Sequence, residues 1–210
     1  MRANYKTVQL YGESEFVVQK SRFLSFVKRA ETEQEAIDFI QEIKKDHHTA
    51  THNCSAYIIG EHDQIQKAND DGEPSGTAGV PMLEVLKKQQ LKDTVIVVTR
   101  YFGGIKLGGG GLIRAYGKAA SEGVAATGIV ERRLHVLTKV MIDYTWLGKV
   151  ENEIRQSIYP LQEITYEQDV ELFLFVPVEE QSVFHEWIME LTNGQAVVTE
   201  VQHEFLEFTI

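Results

Sequence analysis

The sequence has a single cysteine and four prolines, and it contains no long uninterrupted run of apolar residues. Because Cys54 has no second cysteine to pair with, an internal disulfide is excluded, which is typical of a reducing compartment. A membrane-spanning helix would need roughly 18 apolar residues in a row, and residues 1–12 lack the apolar core of a signal peptide. With 43% hydrophobic residues, the chain of 210 residues can still build sizeable cores. We therefore expect a folded, cytoplasmic protein that has no membrane partner.

Basic residues are scarce in the last third of the chain. Residues 1–132 contain 17 Lys and Arg against 17 Asp and Glu, whereas residues 133–210 contain 4 against 14, so the net charge of −10 lies entirely in the second part. A negative net charge argues against nucleic-acid binding, because cations drive phosphate binding, but the first part is neutral and keeps that function open. The difference predicts two domains, residues 1–132 and 133–210.

The second part alternates between strand and helix periodicity. Strands are predicted at residues 134–144, 161–166, 170–176 and 196–208, the last as one strand or a final pair. Amphipathic helices are predicted around residues 147–158, where Pro160 follows, and 183–191. The order βαββαβ is that of a ferredoxin-like domain, in which two helices cover one face of an antiparallel sheet.

The first part mixes the same two periodicities less regularly, which predicts an α+β fold. Strands are predicted at residues 5–10, 23–28, 55–59, 64–68 and 94–102. Helices are predicted from the capping box of Thr32 and Glu35 to about Lys45, from Pro81 to Lys88, and over residues 112–127. The domain boundary is predicted at residues 131–133.

A histidine-rich segment, residues 47–54, precedes one of these strands. His52 and Cys54 share a face of an extended chain, and an imidazole can activate a thiol, so thiol chemistry is one interpretation. No third orienting group is evident, and a zinc site needs about four ligands. A structural role is favoured over catalysis, and contact of His52, Asn53 and Cys54 with a ligand stays open.

A second segment, residues 70–81, contains acidic residues, glycines and prolines at a density that no ordinary surface turn needs. Ser75 and Thr77 could cap the helix that is predicted to begin at Pro81. The carboxylates that could hold a hard cation such as Mg²⁺ are Asp70, Asp71 and Glu73. The alternative is an ordered turn that caps the helix, which leaves the acidic residues unexplained.

The third segment, residues 99–116, is the most informative. Six glycines occupy the nine positions 103–111 between a predicted strand and a predicted helix, and residues 99–118 include four basic and no acidic residues. Glycines leave the N–H groups of a helix start accessible, which suits phosphate or carboxylate, and Tyr101 and Phe102 could stack on bases if they are exposed.

The predicted anion-binding or nucleic-acid-binding residues are Arg100, Lys106, Gly108, Gly109, Gly110 and Arg114. The segment fits neither a P-loop nor a Rossmann motif. Close packing of the glycines and kinase-like nucleotide binding are the alternatives.

Four short blocks follow one another along the first part: KSRF at residues 20–23, ATHNC at 50–54, DDGEPSGTAGVP at 70–81 and RYFGGIKLG at 100–108. Together they resemble the signature blocks of the IMPACT family. The resemblance implies an N-terminal α/β sandwich similar to the second domain of a small-subunit ribosomal protein and to domain IV of elongation factor G. It also implies a ferredoxin-like C-terminal domain similar to domain V of that factor, so it covers essentially the whole chain.

The resemblance implies less about function. Eukaryotic members regulate translation initiation through protein contacts, but they use an additional N-terminal domain that this chain is not expected to carry. For bacterial members, the fold implies nucleic-acid or ribosome binding by analogy. The family's motif residues correspond to His52, Asn53, Cys54, Asp70, Asp71, Glu73, Ser75, Arg100, Lys106 and Arg114. No established catalytic role comes with them.

The sequence therefore predicts a non-enzymatic binding protein linked to translation or its regulation, which contacts RNA or the ribosome through the glycine-rich basic segment and needs no cofactor. One alternative is a small-molecule phosphoryl-transfer enzyme with Mg²⁺ on the carboxylates, or a thiol enzyme that uses Cys54. Another is a protein-interaction module whose glycines serve packing alone. The choice depends on whether the three segments meet in one cleft.

Overall fold

A computed structural model describes residues 4–210. Residues 1–3, with which the predicted N-terminal domain begins, lie outside the described residues. The strands are β1 (Tyr5–Val8), β2 (Tyr11–Val18), β3 (Ser21–Arg29), β4 (His52–Ile59), β5 (Ile65–Asn69), β6 (Thr94–Tyr101), β7 (Ile129–Ile142), β8 (Leu161–Tyr166), β9 (Val170–Pro177) and β10 (Val197–Thr209). The helices are α1 (Glu33–Asp46), α2 (Gly79–Lys88), α3 (Gly109–Thr127), α4 (Tyr144–Gln156) and α5 (Gln181–Leu191). The chain forms two compact units: residues 4–132 with 208–210, the first unit, and residues 133–207, the second unit.

The first unit contains an antiparallel sheet in the order β2-β3-β6-β4-β5. Side chains of β6 alternate between its two faces, so that Ile96 and Val98 pack with α2 and α3, whereas Val95 and Val97 pack with α1. Because helices cover both faces, this central strand is apolar almost throughout. The predicted α/β sandwich is confirmed.

The second unit has the predicted order βαββαβ, in which β7 and β8 each pair antiparallel with β9, and β10 pairs with β7. One face of the sheet packs against α4 and α5 through a core that includes Val140, Leu172, Leu174, Phe184 and Ile188. The last predicted strand is a single strand rather than a pair. The ferredoxin-like prediction is confirmed. None of the helices between residues 4 and 210 has the length and apolar composition that a transmembrane helix requires.

Several predicted boundaries are wrong. The strand expected at residues 134–144 is β7, which begins at Ile129 and ends at Ile142. The two units divide between residues 132 and 133, which is inside the predicted boundary of residues 131–133. The strand expected at residues 5–10 ends at Val8. Strand β2, at a sheet edge, was not predicted because its half-buried face includes Gly12 and Ser14, so the sequence shows no regular apolar alternation. The helix expected from Pro81 begins two residues earlier, at Gly79. The capping of α1 is confirmed, because the Thr32 side chain accepts a hydrogen bond from the backbone N–H of Glu35 at 3.2 Å.

Candidate functional site

The three segments singled out in the sequence meet at one cleft of about 380 Å³ in the first unit. It is lined by Thr51, His52, Glu73, Pro74, Arg100, Phe102, Lys106, Leu107, Gly108, Gly109 and Leu112. His52 begins β4 and lies directly opposite Arg100 near the end of β6. The loop after β5 supplies Glu73, and the loop after β6 supplies Phe102 and Lys106. The sheet thus brings together residues that are far apart in the sequence.

A buried ion pair forms part of the wall of this cleft. A guanidinium nitrogen of Arg100 (Nη1) lies 2.6 Å from Oε1 of Glu73, and both residues are at least nine-tenths buried. The same carboxylate oxygen accepts a hydrogen bond from the Tyr116 hydroxyl at 2.8 Å. The Arg100 guanidinium also lies 5.4 Å from the ring centre of Phe102. Since a buried charge is stable only when it is compensated, Arg100 and Glu73 neutralise each other, and neither charge is left over for a ligand.

A hydrogen bond to the backbone fixes the orientation of His52, the histidine of the cleft. Nδ1 of His52 lies 2.8 Å from the backbone oxygen of Asp71, which can only accept, so Nδ1 carries the proton in the neutral ring. Nε2 lies 3.8 Å from Oε2 of Glu73. His52 therefore faces the cleft beside the ion pair.

The acidic residue Asp70 caps α2, which the sequence analysis did not predict. One of its oxygens accepts hydrogen bonds from the N–H groups of Ala78 at 3.0 Å and Gly79 at 2.8 Å, and the other accepts from Gly76 at 2.8 Å. Burial would raise the pKa of Asp70, but these backbone donors outweigh it and lower the pKa below its usual value.

The predicted capping by hydroxyl side chains is accordingly wrong. The Thr77 hydroxyl donates to the backbone oxygen of Pro74 at 2.6 Å, and Ser75 is exposed. Neither hydroxyl makes a capping bond to α2, whose N-cap residue, Ala78, has no side chain suited to the role. The carboxylate of Asp70, reaching in from the start of the loop, replaces them.

Asp71 ties the same loop to α1 and β4. Its carboxylate accepts from Nζ of Lys44 at 2.6 Å and from the backbone N–H of Asn53 at 2.6 Å. Burial opposes these bonds, but Lys44 and the Asn53 N–H together lower the pKa of Asp71. All three carboxylates proposed for Mg²⁺ thus have protein partners. Within residues 4–210, no group of three or more His, Cys, Asp or Glu residues is arranged to hold a metal ion.

Cys54 and Asn53 lie behind the cleft and do not line it. The Cys54 thiol donates to the backbone oxygen of Asp70 at 2.9 Å, and burial raises its pKa to about 12. A thiolate is therefore scarce at neutral pH, which does not suit a nucleophile. The Asn53 amide accepts from the Thr99 hydroxyl at 2.7 Å and donates to the backbone oxygen of His47 at 3.3 Å, so it joins β4 to β6 and to the end of α1.

The glycines at residues 109–111 form the first turn of α3, rather than a loop that precedes the helix. Gly108 is the N-cap residue with a φ of 71°, and no side chain caps this end. The first intrahelical bond runs from the Leu112 N–H to the Gly108 oxygen at 2.9 Å, so the three glycine N–H groups before it have no partner within the helix. The turn carries no acidic residue and is largely exposed. The helix dipole makes it electropositive.

Two glycines of this segment differ in the space available around them. A side chain at Gly103 would collide with the backbone of Lys20, so packing requires that glycine. A Cβ at Gly109 would meet nothing within 4 Å, and its φ is not in the left-handed region. The packing hypothesis therefore explains Gly103 but not Gly109.

The predicted cations do not form one patch. Lys106 is exposed and lines the cleft, whereas Arg100 is buried in its ion pair. Arg114 and Lys118 line a neighbouring groove of about 310 Å³, on the other side of Leu107. The Arg114 guanidinium still reaches back to the start of α3, at 3.6 Å from where a Cβ of Gly110 would lie.

Two residues that support the site were not predicted. Tyr116 follows the apolar spacing of α3 and looks like a core residue, but a buried tyrosine needs a hydrogen-bond partner, which is the signal that was missed. Ser21 accepts from the Gly103 N–H at 3.2 Å and from Arg100 at 3.4 Å. Phe102, proposed as a stacking face, is 45% exposed.

Residues 19–124 match the Impact N-terminal domain, and residues 140–195 match the Domain of unknown function (DUF1949). The IMPACT family member YvyE of Bacillus subtilis is 60% identical over 207 residues, covering 99% of this chain and 95% of that protein. An IMPACT family member of Haemophilus influenzae is 34% identical over 186 residues, covering 86% of this chain and 89% of that protein.

A solved structure has the same fold. It is described as the crystal structure of a hypothetical protein, aligns with a TM-score of 0.61 at 25% identity, and covers 96% of this chain and 99% of that chain. The motif blocks, the two matching domains and the near full-length relatives agree with one another. This chain belongs to the IMPACT family.

Proposed function

We propose that this chain is a non-enzymatic binding protein that acts in translation or its regulation, and that it binds RNA by holding a backbone phosphate at the start of α3. The observation that carries this proposal is Gly109. It lies at the mouth of the cleft with an ordinary φ and open space where a side chain would be, next to N–H groups that no side chain caps. Neither packing nor φ requires a glycine at this position, and Gly109, unlike Gly117, lines the cleft. We ascribe this glycine to close approach of a ligand to the backbone.

The surroundings favour a nucleic-acid ligand over an isolated anion. Lys106 adds an exposed positive charge on the same cleft, and Phe102 offers a half-exposed ring on which a base could stack. Arg114 and Lys118, in the neighbouring groove, would neutralise the next phosphate of a strand that crosses the start of α3. With three exposed cations, the affinity for single-stranded RNA should fall with salt at a log–log slope of about −2.

The contacts of the reactive side chains favour binding over catalysis. Phosphoryl transfer needs carboxylates that are free to hold a metal ion, but Asp70 caps a helix, Asp71 pairs with Lys44, and Glu73 pairs with Arg100. Thiol chemistry needs an accessible thiolate, but Cys54 is buried and its pKa is raised to about 12. The proposal is therefore a binding protein.

The test is the affinity of the full chain for a fluorescent single-stranded RNA, measured by anisotropy at several salt concentrations. Gly109→Ala places a methyl group over the open N–H groups and should weaken binding about tenfold without loss of thermal stability. Gly117→Ala is the matched control, because Gly117 lies in the same helix and also has open space. Absence of salt-sensitive RNA binding, or equal affinity of Gly109→Ala and Gly117→Ala, would refute the proposal.

A charge-reversal variant tests whether the side chain of Lys106 contributes to RNA binding at the same site. Lys106→Glu should lower RNA affinity at least tenfold, since it replaces an attraction by a repulsion. Lys67→Glu makes the same change of charge at an exposed position on β5, outside both the cleft and the groove, and should change affinity less than about threefold. Equal losses in the two variants would mean that binding follows net charge and not the cleft.

A further inference from the structure

The second unit presents a long strand edge. Among the described residues, β10 pairs with β7 and with no other named strand, and it extends over 13 residues. All of residues 199–204 are exposed, which means that both faces of this stretch are accessible. Unpaired N–H and C=O groups along such an edge can form hydrogen bonds with another extended chain.

Protection against strand addition differs between the two edges of this sheet. The opposite edge strand, β8, has only six residues, and its register with β9 shifts between Leu161 and Glu163. A short or irregular edge is a poor template for pairing. β10 has neither feature, and it contains no proline and no lysine. It is therefore the accessible edge of the sheet.

The two faces of the exposed stretch have different chemistry. Because side chains alternate along a strand, Val197 and Val201 share one face, where they are 51% and 50% exposed. Glu200 and Glu204 share the other face. A strand that pairs with this edge would therefore meet the two valines, with Thr199 and His203, on one side and the two glutamates, with Gln202, on the other.

Charge decides which kind of strand fits. β10 contains three glutamates and neither lysine nor arginine, and residues 133–210 carry 4 basic against 14 acidic residues. In a self-paired antiparallel ladder centred on Gln202, Glu200 of one copy would lie opposite Glu204 of the other, and like charges in that position are destabilising. A second copy is thus disfavoured, whereas a basic segment is attracted.

We infer that residues 197–204 of β10 bind an extended basic segment of a partner protein by strand addition. The segment alternates lysine or arginine, which faces Glu200 and Glu204, with apolar residues, which pack beside Val197 and Val201. Backbone hydrogen bonds provide affinity, and the alternation selects the sequence and register. This surface lies in the second unit and does not depend on RNA binding by the first.

The experiment uses the full chain and a fluorescein-labelled peptide of eight residues in which lysine and valine alternate. Anisotropy should show binding that is at least tenfold tighter than that of a peptide with four lysines followed by four valines, because only the alternating peptide matches both faces. In an extended peptide the N–H groups of alternate residues point to the same side, so N-methylation of every second residue can be made in two registers, one for each side. The N-methyl register on the side that pairs with β10 should abolish binding of the alternating peptide, and the other register should not.

Two double variants that reverse charge test whether the alternating peptide binds at β10. Glu200→Lys with Glu204→Lys should weaken binding of the alternating peptide about tenfold or more. Glu186→Lys with Glu190→Lys changes the net charge of the same unit equally on exposed positions of α5 and should weaken it less than about threefold. Circular dichroism should show that both variants remain folded.

Several results would overturn the inference. Equal losses in the two double variants, or equal affinity for the block peptide, would show unspecific attraction to an acidic domain. Retention of binding by both N-methyl registers would exclude strand addition. A concentration-dependent dimer in sedimentation that the alternating peptide dissociates would assign the edge to a second copy of this chain.

Discussion

The loop before α2 and the start of α3 line the same cleft, and the two helices differ in how their first N–H groups are satisfied. At the start of α2, Asp70 accepts three backbone hydrogen bonds, and we call this the closed start. At the start of α3, no side chain makes a capping bond, and no acidic residue lies in the first turn; this is the open start. Both ends carry the positive partial charge of a helix dipole. The protein neutralises one of them with its own carboxylate and leaves the other accessible, which is the arrangement expected if an external anion completes it.

The largest effect should come from opening the closed start. Asp70→Ala removes the acceptor of three N–H groups, and we expect the free energy of unfolding to fall by about 3 kcal/mol. Urea denaturation of the variant and the wild type measures this change. Ser75→Ala is the control, because Ser75 lies exposed in the same loop, and should stay within about 0.5 kcal/mol. If the two variants have the same stability, Asp70 does not hold the loop.

The architecture of the second unit could be predicted from the sequence because it depends on local periodicity. The alternating pattern of β9 and the amphipathic spacing of α4 and α5 each identify one element and its buried face, so the βαββαβ order follows directly. The capping of α1 by Thr32 also lies within a few residues of the helix start. Contacts of this kind need no knowledge of distant segments.

The cleft could be predicted only in part. Its segments stand out by composition, but the contacts that decide their roles are long-range. Glu73 and Arg100 are separated by 27 positions, and nothing in either segment shows that they neutralise each other. Asp70 caps a helix that begins nine residues later, beyond the window in which caps are normally sought. Contacts of this kind give Asp70, Asp71 and Glu73 each a protein partner, and the sequence alone does not show those partners.

Closing the open start should have the next largest effect. Gly109→Asp places a carboxylate in open space beside the N–H groups of α3, as Asp70 does for α2. RNA affinity should fall by more than tenfold, while the melting temperature stays the same or rises, because an acidic residue at a helix start contributes about 0.5 kcal/mol. Gly109→Asn keeps the shape without the charge and should lose less affinity. Unchanged RNA binding by Gly109→Asp would mean that the open start is not the anion site.

The closed start should also make the free energy of unfolding depend on pH. Because the pKa of Asp70 is lower in the folded chain than the value of about 3.9 in an unfolded one, its stabilisation is present above pH 4 and is lost as the pH falls through the folded pKa. Asp71 changes in the same direction. The variant Asp70→Asn should therefore lose less stability than the wild type between pH 5 and pH 2.5. Denaturation at a series of pH values measures this, and parallel curves would contradict it.

The smallest effect is expected at Cys54, which does not line the cleft. Its thiol donates to the backbone oxygen of Asp70 and lies 3.4 Å from the Tyr116 hydroxyl, so it supports the wall of the cleft without reaching its interior. Cys54→Ala should cost about 1 kcal/mol of stability and change RNA affinity less than twofold, because the site keeps its shape and charge. Iodoacetamide should modify the native thiol far more slowly than the unfolded one, since burial and a pKa of about 12 keep it protonated. Rapid alkylation of the folded chain, or a loss of function in Cys54→Ala that exceeds its loss of stability, would instead favour the thiol enzyme.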